Sequence, residues 1–147
     1  MIYTPKRFKA FEITDSATYA KFGEQAFQFF RIEALQMLDQ LSDLFKDRAI
    51  TINNWKSGGE FQWRGLRTLD YPEKDANGQP KSPRSAHRLG AAFDFNVSGL
   101  TPQQVYQIIL AAKPSKIRRM EDISITTGWT HCDTYEWDGD GILIVKP

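Results

Sequence analysis

A chain of 147 residues is the length of one ordinary domain, 1–147, and is long enough to bury a substantial core. Its 41% hydrophobic and 25% charged residues are near globular averages, which excludes wholesale disorder. A formal net charge of +1 gives no electrostatic reason to bind nucleic acid, and a single cysteine, Cys132, excludes an intramolecular disulfide.

The N-terminus reads Met1-Ile2-Tyr3-Thr4-Pro5-Lys6-Arg7 and lacks the apolar core of a signal peptide. No apolar run is long enough to span a membrane. The expectation is a monomer made in the cytoplasm without a signal peptide, with neither nucleic acid nor membrane among its partners. The basic run Lys113, Lys116, Arg118 and Arg119 is expected to be solvated surface.

Residues 16–47 have a helical pattern. Phe27, Phe30, Ala34, Leu38, Leu41 and Phe45 recur at steps of three and four, the stripe of a helix facing a core. Gly23 is the point at which a short first helix would separate. Residues 49–55 alternate and are β-branched, which predicts a strand. Residues 56–86 follow as a long irregular segment with Gly58-Gly59, Asn77-Gly78 and the prolines Pro72, Pro80 and Pro83. Loops of this length in compact domains are usually functional or disordered. This one leads directly to His87, so a wall of the active site is expected.

Residues 91–97 read as a strand with Phe93, Phe95 and Val97 on one face and Ala92, Asp94 and Asn96 on the other. Thr101-Pro102-Gln103-Gln104 predicts a helix start with a capping box and proline in the first turn. Val105, Ile108, Ile109 and Ala112 form its stripe, and Pro114 follows its end. Further strands are expected at 117–123, 128–134 and 142–145. Segregated helices and strands predict an α+β fold, its mainly antiparallel sheet packed against helices.

The chain's two histidines both lie near carboxylates, in Ser85-Ala86-His87-Arg88-Leu89-Gly90-Ala91-Ala92-Phe93-Asp94 and Trp129-Thr130-His131-Cys132-Asp133. Two imidazoles and one carboxylate, from His87, Asp94 and His131, are a ligand set with which a catalytic zinc keeps a fourth position open for water. Ordinary hydrogen-bonding histidines are the alternative. The small residues Gly90 and Ala92 at crowded positions, and the converging faces, favour the metal.

The pattern Ser85-x-His87-x-x-Gly90-x-Ala92-x-Asp94-Phe95, followed by Trp129-x-His131-x-Asp133, resembles the zinc D-alanyl-D-alanine carboxypeptidase and L-alanyl-D-glutamate endopeptidase family. The resemblance covers about residues 53–133. It implies a hedgehog/DD-peptidase-like fold, cleavage of peptidoglycan stem peptides, and a small phage- or prophage-type enzyme that meets the wall through lysis or as a virion component. It also implies that His87, Asp94 and His131 bind zinc.

Many members of that family have an acidic general base three residues before the last zinc histidine, where this chain has Gly128. A hairpin turn centred near Thr126 would instead put Glu121 opposite His131 on the same face, within reach of the reacting water. A one-residue slip would exchange Glu121 for Asp122. Asp133 shares the His131 face, as a second candidate base or as a carboxylate that orients the imidazole.

Arginine recognises carboxylates with paired hydrogen bonds. Gly65-Leu66-Arg67 resembles the family element whose arginine anchors substrate, so Arg67 is the expected anchor, with Arg64 second. Ser85 is expected to contact substrate or cap its turn. Trp63 and Trp129 are groove candidates or packing residues, and Cys132 is expected to be buried and inert. The expected activity is zinc-dependent hydrolysis of stem-peptide bonds. The competing expectation is a zinc-stabilised wall-binding or structural module without turnover, motivated by Gly128.

Overall fold

The computed structural model describes residues 1–79, 81–82 and 84–147; Pro80 and Pro83, two prolines of the expected loop, lie outside the described residues. Among the described residues there are three α-helices: α1 (Ser16–Phe22), α2 (Ile32–Leu44) and α3 (Pro102–Ala112). Five strands, β1 (Ile50–Thr51), β2 (Ala92–Val97), β3 (Arg119–Glu121), β4 (Thr130–Asp133) and β5 (Leu143–Val145), complete an α+β fold. The strands form one mixed sheet in the order β1-β2-β4-β3-β5. Pairings β1–β2, β2–β4 and β3–β4 are antiparallel, whereas β5 runs parallel to β3 at one edge.

Strand alternation gives the sheet two chemically different faces. Phe93, Phe95 and Val97 of β2, Met120 of β3 and Cys132 of β4 are buried in the main hydrophobic cluster with Leu35, Leu38 and Leu41 of α2 and Ile109 of α3. Burying each large side chain of this kind contributes about 1.5–3 kcal/mol. The residues between them, Ala92, Asp94, His131, Asp133, Arg119 and Glu121, fall on the opposite face.

The helical stretch expected over 16–47 is divided. Asp15 caps α1 by accepting from the Thr18 amide, and Gly23, at φ 56°, ends it. A 3-10 segment, Gly23–Phe29, follows, and Phe30 and Arg31 are extended before α2. The break has a tertiary cause: the Arg31 amide donates to Gly90 O at 3.0 Å, an acceptor no helical pattern reveals. α3 begins with the expected box, in which Thr101 accepts from the Gln104 amide and Gln104 accepts from the Thr101 amide.

The strand expected over 49–55 is only Ile50–Thr51. Beyond it the Asn53 and Trp55 side chains both donate to Thr14 O, so the chain turns to bond the N-terminal segment instead of extending the ladder. No helix among the described residues is long and apolar enough to cross a membrane. The basic run departs from expectation at its end. Arg118 donates to Trp137 O and Gly139 O, and Arg119 is committed to a buried carboxylate.

Candidate metal centre

The centre is assembled on one row of the sheet. Asp94 of β2 pairs with His131 of β4. The β3–β4 register, Arg119 with Asp133 and Met120 with Cys132, continues to Glu121 opposite His131. This is the register expected from a turn near Thr126, and it puts Asp94, His131 and Glu121 side by side across three strands.

His87 enters from a tight turn beside β2. Within it, the amides of Arg88, Leu89 and Gly90 donate to Ser85 O, Ala86 O and His87 O in succession. Gly90 has φ +62°, and a Cβ there would lie 2.2 Å from Phe29 O, so only glycine fits. The turn brings His87 Nε2 to 3.3 Å from Asp94 Oδ2, while His131 Nδ1 lies 2.8 Å from Asp94 Oδ1. All three residues are buried, and one ligand atom from each lies within 4.8 Å of the other two.

The nitrogens facing away from this point are held by the protein. His87 Nδ1 lies 2.9 Å from Gly65 O, an acceptor, so Nδ1 is the donor there and Nε2 is the nitrogen turned towards Asp94. His131 Nε2 lies 2.9 Å from Asp133 Oδ2, leaving Nδ1 towards Asp94. Fixing the outer nitrogen of a ligating imidazole is the usual supporting arrangement of a metal site. The 3.3 Å between His87 Nε2 and Asp94 Oδ2 is close to the edge of a tetrahedron with metal–ligand bonds of roughly 2.0–2.1 Å, whereas the 2.8 Å between His131 Nδ1 and Asp94 Oδ1 is shorter. Among the described residues, His87, Asp94 and His131 are therefore a group that could hold a metal ion.

No family model, curated protein or solved structure matches this chain.

The electrostatics follow from the packing. Desolvation opposes ionisation of Asp94, but His87 and His131 outweigh it and hold the carboxyl well below the usual carboxylate range. Desolvation likewise opposes protonation of His131, yet its bonds to Asp133 and Asp94 push its pKa up to about 10. Asp133 is desolvated too, and its bonds to His131 and Arg119 keep it ionised with a lowered pKa.

Glu121 and Asp133, the two candidate bases, occupy different positions. Glu121 Oε1 lies 3.7 Å from His131 Nδ1, on the ligand side of the ring, with its side chain 20% exposed. Asp133 has no exposure and sits behind the ring. Arg119 grips it at 2.8 and 3.0 Å, and Tyr135 N donates to it at 3.1 Å. Both Asp133 oxygens are thus bonded to Arg119, Tyr135 N and the outer nitrogen of His131, on the side of the ring away from Asp94. Asp122, the register alternative, instead caps the turn by accepting from Ser124.

The expected substrate residues divide similarly. Arg67 Nε donates to Trp63 O and Nη2 to Asp94 Oδ2 at 3.3 Å, so its guanidinium stands at the ligand carboxylate. Arg64 reaches Asn96 Oδ1 at 2.7 Å on the same sheet face. Ser85 Oγ accepts from the His87 amide at 3.3 Å, so the hydroxyl caps the turn. Trp63 packs edge-on against Tyr71, and Trp129 is half-buried with a shielded, unbonded Nε1. Cys132 is buried on the core face, where burial and the charges of Asp133 and Asp94 push its thiol pKa up.

Two contributors escaped sequence reasoning. Arg119 looked like part of a solvated run; its i+2 alternation with Glu121 was the available signal. Gly65 looked like a companion of Arg67, yet a Cβ on it would lie 2.1 Å from Ile13 O. That close approach holds Gly65 O against His87, and nothing local in the sequence reports it.

Proposed function

We propose that the protein is a zinc-dependent metallopeptidase of the hedgehog/DD-peptidase type that hydrolyses peptide bonds in peptidoglycan stem peptides. One observation carries the reading: beside the His-Asp-His group stands a fourth residue, Glu121, whose carboxylate is on the ligand side at 3.7 Å from His131 Nδ1. Metal-assisted hydrolysis needs this combination of ligands and a nearby proton acceptor. The motif resemblance from Ser85 to Asp133 supplies the substrate class.

His87 Nε2, Asp94 and His131 Nδ1 would hold the ion. Bound zinc would supply Lewis acidity, lowering the pKa of a coordinated water and polarising the scissile carbonyl. Glu121 Oε1 takes a proton from the attacking water and returns it to the leaving amine nitrogen. Asp133 and Gly65 O hold the two imidazoles in the orientation that directs lone pairs inward. Arg67, anchored through Nε and Nη2, retains Nη1 for a carboxylate of the stem peptide.

The test is digestion of purified peptidoglycan followed by mass spectrometry of the fragments. New stem-peptide termini that disappear with chelator and with His87→Ala support the reading. Stoichiometric zinc without any released fragment favours the competing reading, a zinc-stabilised wall-binding module. Absence of zinc from the purified protein ends both.

A further inference from the structure

Beside the metal centre lies a cleft of about 320 Å³ lined by Phe22, Phe29, Leu66, Leu69, Arg67 and Arg88. We propose that this cleft is a second recognition site and that it takes a carboxylate carried on a hydrocarbon group. Its size is at the small end of ligand pockets, which run from roughly 300 to 1,000 Å³.

The apolar half is preformed. Phe22 and Phe29 meet edge-on at 4.7 Å, and Leu66 closes the floor with 6% exposure. Phe29 and Leu69 remain 38% and 70% exposed at the rim, an apolar surface that a ligand would cover. The charged half selects an anion. Arg88 makes no ion pair and no side-chain hydrogen bond among the described residues, and its Nη1 is shielded from solvent without an acceptor. The guanidinium charge of Arg88 at the cleft wall is thus unpaired, and a carboxylate in the cleft would neutralise it through the guanidinium's other nitrogens.

The cleft and the metal centre share parts. Arg67 lines the cleft and reaches Asp94. Arg88 follows His87 in the turn whose Gly90 lies against Phe29. An occupant would therefore lie next to the ligand-bearing turn. Binding in the cleft needs no hydrolysis, so this proposal and the peptidase reading fail separately.

The test is amide-resolved NMR of the full chain titrated with hexanoate, with acetate and hexylamine as controls, zinc-loaded and with chelator. Hexanoate is expected to shift the resonances of Phe22, Phe29, Leu66 and Leu69 in both preparations. Arg88→Leu should weaken binding about tenfold or more, the scale of a charge-assisted hydrogen bond. Acetate and hexylamine should bind much more weakly. Equal binding of hexylamine, hexanoate binding unchanged in Arg88→Leu, or shifts that vanish with chelator would each overturn the proposal. Should Arg88→Leu fail to fold, Leu69→Asp replaces it, because Leu69 is mostly exposed and a rim carboxylate would repel hexanoate; unchanged affinity there overturns the proposal equally.

Discussion

Arg119 holds Asp133 through two parallel hydrogen bonds, Nε to Oδ1 at 2.8 Å and Nη2 to Oδ2 at 3.0 Å, on adjacent strands. The same carboxylate fixes His131, so a surface-reaching arginine on β3 governs a ligand on β4. Removing it would leave a fully buried charge with one partner fewer. Arg119→Leu is expected to destabilise the fold by on the order of 3 kcal/mol and to lower zinc affinity roughly ten- to a hundredfold. Denaturant unfolding and competition with a chelating dye measure the two effects. Unchanged zinc affinity in a folded Arg119→Leu would separate Arg119 from the site.

Glu121→Gln keeps size and hydrogen bonding but removes the proton acceptor. Turnover should fall roughly a hundredfold or more, with zinc content and folding retained. Asp133→Asn, behind the ring, should show a smaller loss of turnover with weaker zinc retention. An active Glu121→Gln paired with an inactive, zinc-replete Asp133→Asn would reverse the two assignments.

In the metal-free protein His131 has a pKa raised to about 10, against about 6.5 when unfolded. Its stabilising protonation is therefore fully present below about pH 6.5 and is lost as pH rises through about 10. Asp94 and Asp133 have lowered pKa values, so their contribution is present above about pH 4 and is lost on further acidification. Metal-free stability should be greatest between these limits. Zinc needs the Nδ1 lone pair, so binding at pH 7 should release about one proton and weaken as pH falls. Calorimetry in buffers of different ionisation enthalpy measures this, and zero release would mean that His131 is already neutral.

Cys132 points into the core with its thiol pKa raised. Alkylation of the folded protein should be slow and should track global unfolding. Fast modification under native conditions would show that β4 opens locally.

Much of the site was legible because strand alternation is a strict rule. Knowing that Phe93 and Phe95 face the core puts Asp94 outward, and a turn centred on Thr126 fixes the opposition of Glu121 and His131. The fold's departures came from contacts remote in sequence. Arg31 bonds Gly90, which breaks the expected helix, and Asn53 and Trp55 bond Thr14, which shortens the first strand. Arg119 was hidden by its basic neighbours, and Gly65 by its distance from Ile13. Periodicity reports which way a side chain faces, but not the partner it meets.

The central strand of the ligand row, β4, is inserted between β2 and β3, both of which precede it in the chain. Neither neighbour gains its inner partner until residues 130–133 arrive, so the ligands cannot gather around a locally formed hairpin between β2 and β3. Pairing of β4 with β3 is a local hairpin, but its pairing with β2 joins residues as far apart as Asp94 and His131, 37 positions along the chain, and such non-local closure is slow relative to helix formation. A metal ion presented during refolding would meet Asp94 and His87 first and His131 only after this insertion. Folding to full coordination is thus ordered by strand sequence, and the rate of metal capture should report the rate at which β4 docks.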